Sequence, residues 1–221
     1  MKKVIILVAL MVAAVVSANA QILRAEELEE YAKERYGDKW VDAAANLGAE
    51  LSLDKNNALT YVQVIETPGK TKEELYVLLN YWFTATFNDA NSVINLNDKE
   101  AGTIIAQGFV GDIAEHSGGS NSYVVSIRPI IKCDLKEGRI RVTYSVPYYN
   151  VVKGGGLLLK SKTVKENWVL DECYPFTTGK DSHKKTSSKA LIMAHAYSNV
   201  VMDKIEECVK NGLTGNEGDD W

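Results

Sequence analysis

Residues 58–87, ALTYVQVIETPGKTKEELYVLLNYWFTATF, decide the fold. Leu59, Tyr61 and Ile65 alternate with Thr60, Val62 and Val64, the period of two that marks a strand. Thr67-Pro68-Gly69-Lys70 is a turn. Thr71 stands three residues before Glu74, the spacing of a capping box: the hydroxyl accepts the Glu74 amide and the carboxylate reaches back. Leu75, Leu78, Leu79, Trp82 and Phe83 then recur at helical spacing and make a wide apolar face. Aromatic residues at this spacing belong to a core, and a helix with such a face needs a sheet to lie on.

The chain downstream supplies that sheet. Short strands are expected near 92–96 and 103–110, around a turn at 97–102, and residues 111–121 read as a long polar loop. Residues 122–134 place Tyr123, Val125, Ile127, Ile131 and Cys133 on one face and Val124, Ser126, Arg128 and Lys132 on the other. The return run 139–148 sets Ile140, Val142, Tyr144, Val146 and Tyr148 inward, with Arg139, Arg141, Thr143 and Ser145 outward. One dry face and one wet face describe an antiparallel sheet with helices on one side. Pro129 interrupts the ladder, so a bulge or an edge position is expected there. Residues 151–187 are less regular, with a short strand or helix around Trp168. A final helix over 188–210 carries Leu191, Ala194, Ser198, Val201, Ile205 and Cys208 on one stripe. Before the decisive stretch, a highly charged helix and a second short one read as an extension that packs through Trp40, Val41, Ala44 and Leu47, a partner-binding arm being the alternative. The expected class is α+β in the order β-α-β-β-β-β-α, plus an N-terminal helical extension.

Residues 1–20 are a separate object. Lys2 and Lys3 precede an apolar run over 4–16, and Ala18-Asn19-Ala20 offers a small-x-small cleavage site. This is a secretory leader cut after Ala20, which makes the protein exported, periplasmic or extracellular. No later segment is long and apolar enough to span a bilayer. Loss of the two lysines takes the formal charge from −4 to −6, which argues against a nucleic-acid surface. Cys133, Cys173 and Cys208 remain, an odd number in a compartment that permits disulfides. Three single bridges are possible, Cys133–Cys173 being preferred because Cys208 sits on a helix stripe; three buried thiols are the alternative. The chain divides into a leader (1–20), a helical extension (21–56), a core (57–150), an insert (151–187), a core helix (188–212) and a loose acidic tail (213–221).

VIETPGKTKEELY leading into the Trp82 helix, the NDKEAGTIIAQGFV turn and strand, and the YVVSIRPIIKCDLKEGRIRVTY hairpin together resemble the bacterial domain-of-unknown-function family 4468. The resemblance covers residues 57–150. It implies a TBP-like fold completed by the last helix, and it brings no activity or catalytic residue to carry over. The fold name implies nothing about DNA, since fold is not function.

Known chemistries find little purchase. His116, His183 and His195 are the only histidines, none has a partner at ligand spacing, and no HExxH or CxxC occurs, so neither metal nor cofactor is expected. Asp112, Glu115 and His116 share one segment and read as solvated. No G-x-S-x-G elbow is present, and Cys173 keeps acidic company in Asp171 and Glu172, which opposes a thiolate. The favoured reading is a non-enzymatic module that binds an envelope protein, a glycan or a small ligand. Its candidate surfaces are the wet sheet face (Arg128, Lys132, Arg139, Arg141) and the insert (Trp168, Tyr174). Two other classes compete: a hydrolase using Asp171 and Glu172, which requires both to converge on a cleft, and a structural envelope component, which requires an exposed apolar patch.

Overall fold

Three runs of chain bend at matching points, and those bends shape the molecule. The computed structural model describes residues 22–87, 94–118, 121–155 and 163–212. The leader, the apolar run at 157–159 and the tail at 213–221 lie outside these residues. The described elements follow in the order α1 (Ala25–Tyr36), α2 (Trp40–Glu50), β1 (Leu59–Glu66), α3 (Lys72–Thr86), β2 (Ile94–Asp98), β3 (Thr103–Gln107), β4 (Val110–Ser117), β5 (Asn121–Ile127), β6 (Ile130–Lys136), β7 (Arg139–Val146), β8 (Tyr148–Gly155), β9 (Val164–Val169), a 3-10 turn (Leu170–Glu172) and α4 (Lys184–Asn211).

The strands form two antiparallel sheets, one ordered β1-β7-β6-β3-β2 and one ordered β4-β5-β8-β9. The α+β class with helices on one face therefore holds. The expectation of four strands between the helices is corrected: among the described residues eight stand there, in two sheets. The reason lies in three short breaks, Gly108-Phe109, Arg128-Pro129 and Pro147, each of which passes a run from one sheet to the other. Gln107 pairs with Ile130 and Val110 with Ile127, while Ile130 pairs with Ser145 and Ile127 with Tyr149. The breaks thus lie side by side, and the Gly108 amide donates to the Pro129 carbonyl across them at 2.8 Å. The two sheets are halves of one sheet folded along a line, with Pro129 on the fold because it cannot donate to a ladder.

The residues read as a polar loop at 111–121 include strand β4. Asp112 has a φ of 53°, and the register shifts between Val110 and Ala114, so Ile113 and Ala114 are both buried. A bulge of this kind places two successive side chains inward and erases the alternation that marks a strand.

Helix α3 forms as its sequence dictates. The Glu74 amide donates to the Thr71 hydroxyl at 3.2 Å, and the Thr71 amide donates to the Glu74 carboxylate at 2.7 Å. Leu75, Leu79, Trp82 and Phe83 are buried. Helix α4 is more than a striped helix. Seventeen of its 28 residues are buried, because it lies along the fold of the sheet with α1, α2 and α3 packed over it. At 1.5 Å per residue it is about 42 Å long, enough to run under both halves. Its buried serines are satisfied locally, as where Ser188 Oγ donates to the Lys184 carbonyl at 2.6 Å.

The N-terminal helices belong to this core. Leu28, Ala32 and Ala44 have no exposed surface. Lys189 of α4 bonds Glu29 of α1 at 2.7 Å, and Asn199 Nδ2 donates to the Tyr36 hydroxyl at 2.9 Å. Among the described residues no helix is long and apolar enough to cross a membrane. Cys133, Cys173 and Cys208 are all free and buried, so the preferred Cys133–Cys173 bridge is not formed. Cys133 lies on β6 in the five-stranded half, and Cys173 follows the 3-10 turn beyond β9 of the other half.

Candidate functional site

The open face of the five-stranded half holds part of the expected surface. Lys132 Nζ lies 2.9 Å from Asp134 Oδ1, and Arg141 Nη2 lies 2.8 Å from Asp134 Oδ2. Partial burial pushes the Asp134 carboxyl up, but hydrogen bonds from Lys132 and Arg141 outweigh it and leave the carboxyl below its ordinary range. These cations are thus engaged within the sheet. Arg139 and Arg141, with Lys136 and Val64, line a shallow depression of about 250 Å³. Val64 and neighbouring Val62 are 54% and 61% exposed. Arg128 stands apart, at the fold of the sheet, with its guanidinium 4.9 Å from the ring of exposed Phe109.

The strongest constellation is at the opposite end of the molecule, where α4 begins beneath the four-stranded half. Strand pairing sets His116 of β4 opposite Tyr123 of β5, and Tyr123 opposite Lys153 of β8. Trp168 projects from β9, which pairs with β8. His183, the N-cap residue of α4, enters between them. Its ring stacks on Trp168 with centroids 4.4 Å apart and planes 4° from parallel, and meets Tyr123 edge-on at 4.7 Å. His116 stacks on the other side of the group, 5.5 Å from Tyr123. The Tyr123 hydroxyl accepts from Asn121 Nδ2 at 2.7 Å. Lys153 sits 5.6 Å from the Tyr123 ring and pairs with Glu166 at 2.6 Å, and Glu166 also accepts from the Trp168 indole.

Two adjoining cavities flank His183. One, of about 490 Å³, is bounded by His116, Asn121, Tyr123, Lys184 and Lys185. The other, of about 410 Å³, is bounded by Trp168, Glu172, Cys173, Thr177 and Asp181. Both lie in the size range of small-ligand sites, roughly 300–1,000 Å³. Burial lowers the pKa of His183, and Lys153 and His116 add to the effect while Asp181 and Glu166 oppose it. Asp181 is already committed: it accepts from the amides of Tyr174 and His183 at 2.9 and 2.6 Å and from the Ser187 hydroxyl. Tyr174 lies next to the chamber beneath Lys184, whose Nζ is 4.1 Å from its ring.

Of the surface residues named from sequence, Trp168 therefore lines this site and Tyr174 borders it through Lys184 and Asp181, far along the chain from His116. His116, Tyr123, Lys153 and His183 were not assigned a role. Their only sequence signal was a pair of histidines without local partners, since the fold alone sets residues 116, 168 and 183 side by side.

The remaining chemistry is limited. Asp171 accepts from Asn57 Nδ2 at 2.9 Å, whereas Glu172 lines the second cavity, so the two do not share a cleft. Glu115 and His116 are neighbours along β4 and so point to opposite faces. Among the described residues no three His, Cys, Asp or Glu side chains are grouped to hold a metal ion. The Cys173 thiol is pushed up to about 12, first by burial and then by Asp181, Glu172 and Asp171. Burial likewise raises Cys133 to about 12, with a smaller push from Asp134.

Comparison with known proteins gives a family match over part of the chain and no activity. No curated protein matches the chain. Two solved structures are similar to it. A TBP-like protein from Parabacteroides distasonis is 13% identical, with a TM-score of 0.46 over 71% of this chain and 95% of its own. A DUF4468 family protein from Bacteroides ovatus is 15% identical, with a TM-score of 0.43 over 70% of this chain and 87% of its own. Residues 61–150 match the family described as "Domain of unknown function (DUF4468) with TBP-like fold". That span runs from β1 into β8, the strands whose pairing and bends build the folded sheet. Over residues 61–150 the chain thus matches the DUF4468 family model, whose domain is described as TBP-like in fold.

Proposed function

We propose that this protein is a non-enzymatic binding module exported to the bacterial envelope, and that it holds a small ligand in the chamber around His183. One observation carries the reading. Four rings, from His116, Tyr123, Trp168 and His183, converge from three strands and a helix start, yet two ligand-sized cavities remain between and beside them. Preformed concave sites with a few converging polar groups are where small molecules bind.

The lining favours holding over turnover. Activating a nucleophile requires a base within hydrogen-bond reach. Among the described residues neither His116 nor His183 has a hydroxyl or thiol hydrogen-bonded to its ring, and the Cys173 thiol is raised to about 12. Export and the envelope assignment both rest on the leader at 1–20.

Native mass spectrometry of the protein purified gently from its host's envelope fraction tests this. Extra mass of small-molecule size that leaves on denaturation, and that is lost in Trp168→Ala, is the expected result. A bare chain, or retained mass in Trp168→Ala, refutes the chamber as the binding site.

A further inference from the structure

The two halves of the chamber differ in charge, and the difference specifies a ligand. Among the described residues no carboxylate lines the 490 Å³ half, where Lys184 and Lys185 supply positive charge and Asn121 and Tyr123 supply polar atoms. Among the described residues neither lysine makes an ion pair with a carboxylate. The 410 Å³ half holds Glu172, Asp181, Thr177 and Ser182 with one cation, Lys180. Asp181 spends its oxygens on the amides of Tyr174 and His183 and on the Ser187 hydroxyl, so it is committed to the segment around the start of α4. Glu172, with no hydrogen-bond partner among the described residues, is left to accept from one.

We infer that the chamber takes a small acidic sugar, its anionic group among His116, Lys184 and Lys185 and its hydroxyls against Glu172, Thr177 and Ser182. The inference rests on the chamber being the ligand site. An anion in the first half gains charge-assisted hydrogen bonds, which are stronger than neutral ones. A second anionic group at the far end would meet Glu172 and Asp181 and be repelled. Hydroxyls suit that end, because they donate to carboxylates and exchange bonds with the hydroxyls of Thr177 and Ser182. The wall between the halves is His183, held flat by Trp168, so a ligand reaching both halves must pass beside that ring.

Isothermal titration of the full exported protein with glucuronate, glucose and inorganic phosphate tests the inference. Glucuronate is expected to bind at least about tenfold more tightly than either of the others, which corresponds to about 1.4 kcal/mol. Lys184→Ala with Lys185→Ala should cost glucuronate about tenfold or more, and Glu172→Gln should narrow its advantage over phosphate. Arg141→Ala, on the far sheet face, should leave binding unchanged, and thermal melts establish that each variant is folded. Equal binding of glucose and glucuronate, or unchanged affinity in the double lysine variant, overturns the acidic class while leaving the chamber intact as a site. Equal binding of phosphate and glucuronate overturns the sugar. If glucuronate binds and Trp168→Ala does not weaken it, the chamber itself is the wrong place, and both readings fall together.

Discussion

Replacing Gly48 by alanine should destabilise this protein, against the ordinary effect of that substitution in a helix. Gly48 lies in α2, and a glycine inside a helix costs about 1 kcal/mol relative to alanine, so the exchange normally stabilises. Here an alanine Cβ would stand 2.2 Å from Cγ and 3.0 Å from Cβ of Pro175. The proline ring cannot swing aside as a long side chain would. Its backbone is pinned on both sides: the Tyr174 amide donates to Asp181, and the amides of Phe176 and Thr177 both donate to the Cys173 carbonyl at 2.9 and 3.0 Å. Overpacking a fitted contact costs about 1–3 kcal/mol, and an overlap this deep belongs at the upper end. The net expectation is a loss of about 1–2 kcal/mol, or roughly 2–8 °C in Tm for a chain of this size. Urea unfolding of wild type, Gly48→Ala, Pro175→Ala and the double variant measures it. In the Pro175→Ala background the same Gly48→Ala change should become stabilising, giving a coupling above about 1 kcal/mol. A stabilised Gly48→Ala single variant would refute the close seat of α2 on the segment that leads into α4.

Thr71→Ala should cost about 1 kcal/mol, the usual worth of an N-cap, and urea midpoints would read it; no change would mean that α3 does not begin at this cap. His195 gives a pH dependence. Its Nδ1 is 2.8 Å from the Tyr61 hydroxyl, and burial, with a smaller contribution from Arg35, lowers its pKa below the ordinary 6.5. The neutral ring is the one the fold prefers, so its contribution is complete above about pH 6.5 and is lost as pH falls from there through the lowered folded value. Urea midpoints between pH 7 and 5 should therefore fall less in His195→Gln than in wild type. His183, also lowered, needs the matching His183→Gln control.

Much of the fold was legible where local rules agree with the global packing. The Thr71–Glu74 box, the Leu75/Leu79/Trp82/Phe83 face and the alternation from Arg139 to Val146 all read correctly, because each is fixed by neighbours within a few residues. Strand β4 was not legible, since the bulge at Asp112 turns Ile113 and Ala114 inward together. Strand β9 was ambiguous for another reason: VKENWV is an edge strand, with one neighbour and no deeply buried residue to impose a period. Pro129 signalled an interruption, but its meaning depends on Gly108 and Pro147 breaking in the two neighbouring strands. The chamber was the least legible part. His116 and His183 are 67 residues apart, and only the pairing of β4, β5, β8 and β9 with the placement of α4 brings them to the same ring cluster.

That placement also bears on where specificity resides. Folding the sheet along the line of Gly108, Pro129 and Pro147 makes a trough long enough for α4, and a helix of about 42 Å must then start where the four-stranded half ends. The chamber occupies that end because strand tips and helix start meet there. The family span at 61–150 contributes His116, Asn121 and Tyr123, while Lys153, Trp168, Glu172, His183 and Lys184 all come from beyond it. The domain thus supplies one wall, and the segment from β8 to α4 supplies the charges and the indole that would choose a ligand. Two DUF4468 proteins with the same folded sheet but different residues at these later positions should bind different molecules. Exchanging residues 163–185 between them, which takes in β9 and the helix start, should therefore carry the binding preference with it, whereas exchanging the β6–β7 hairpin should not. A preference that followed the hairpin would move the site to the open face of Val62, Val64 and Arg141.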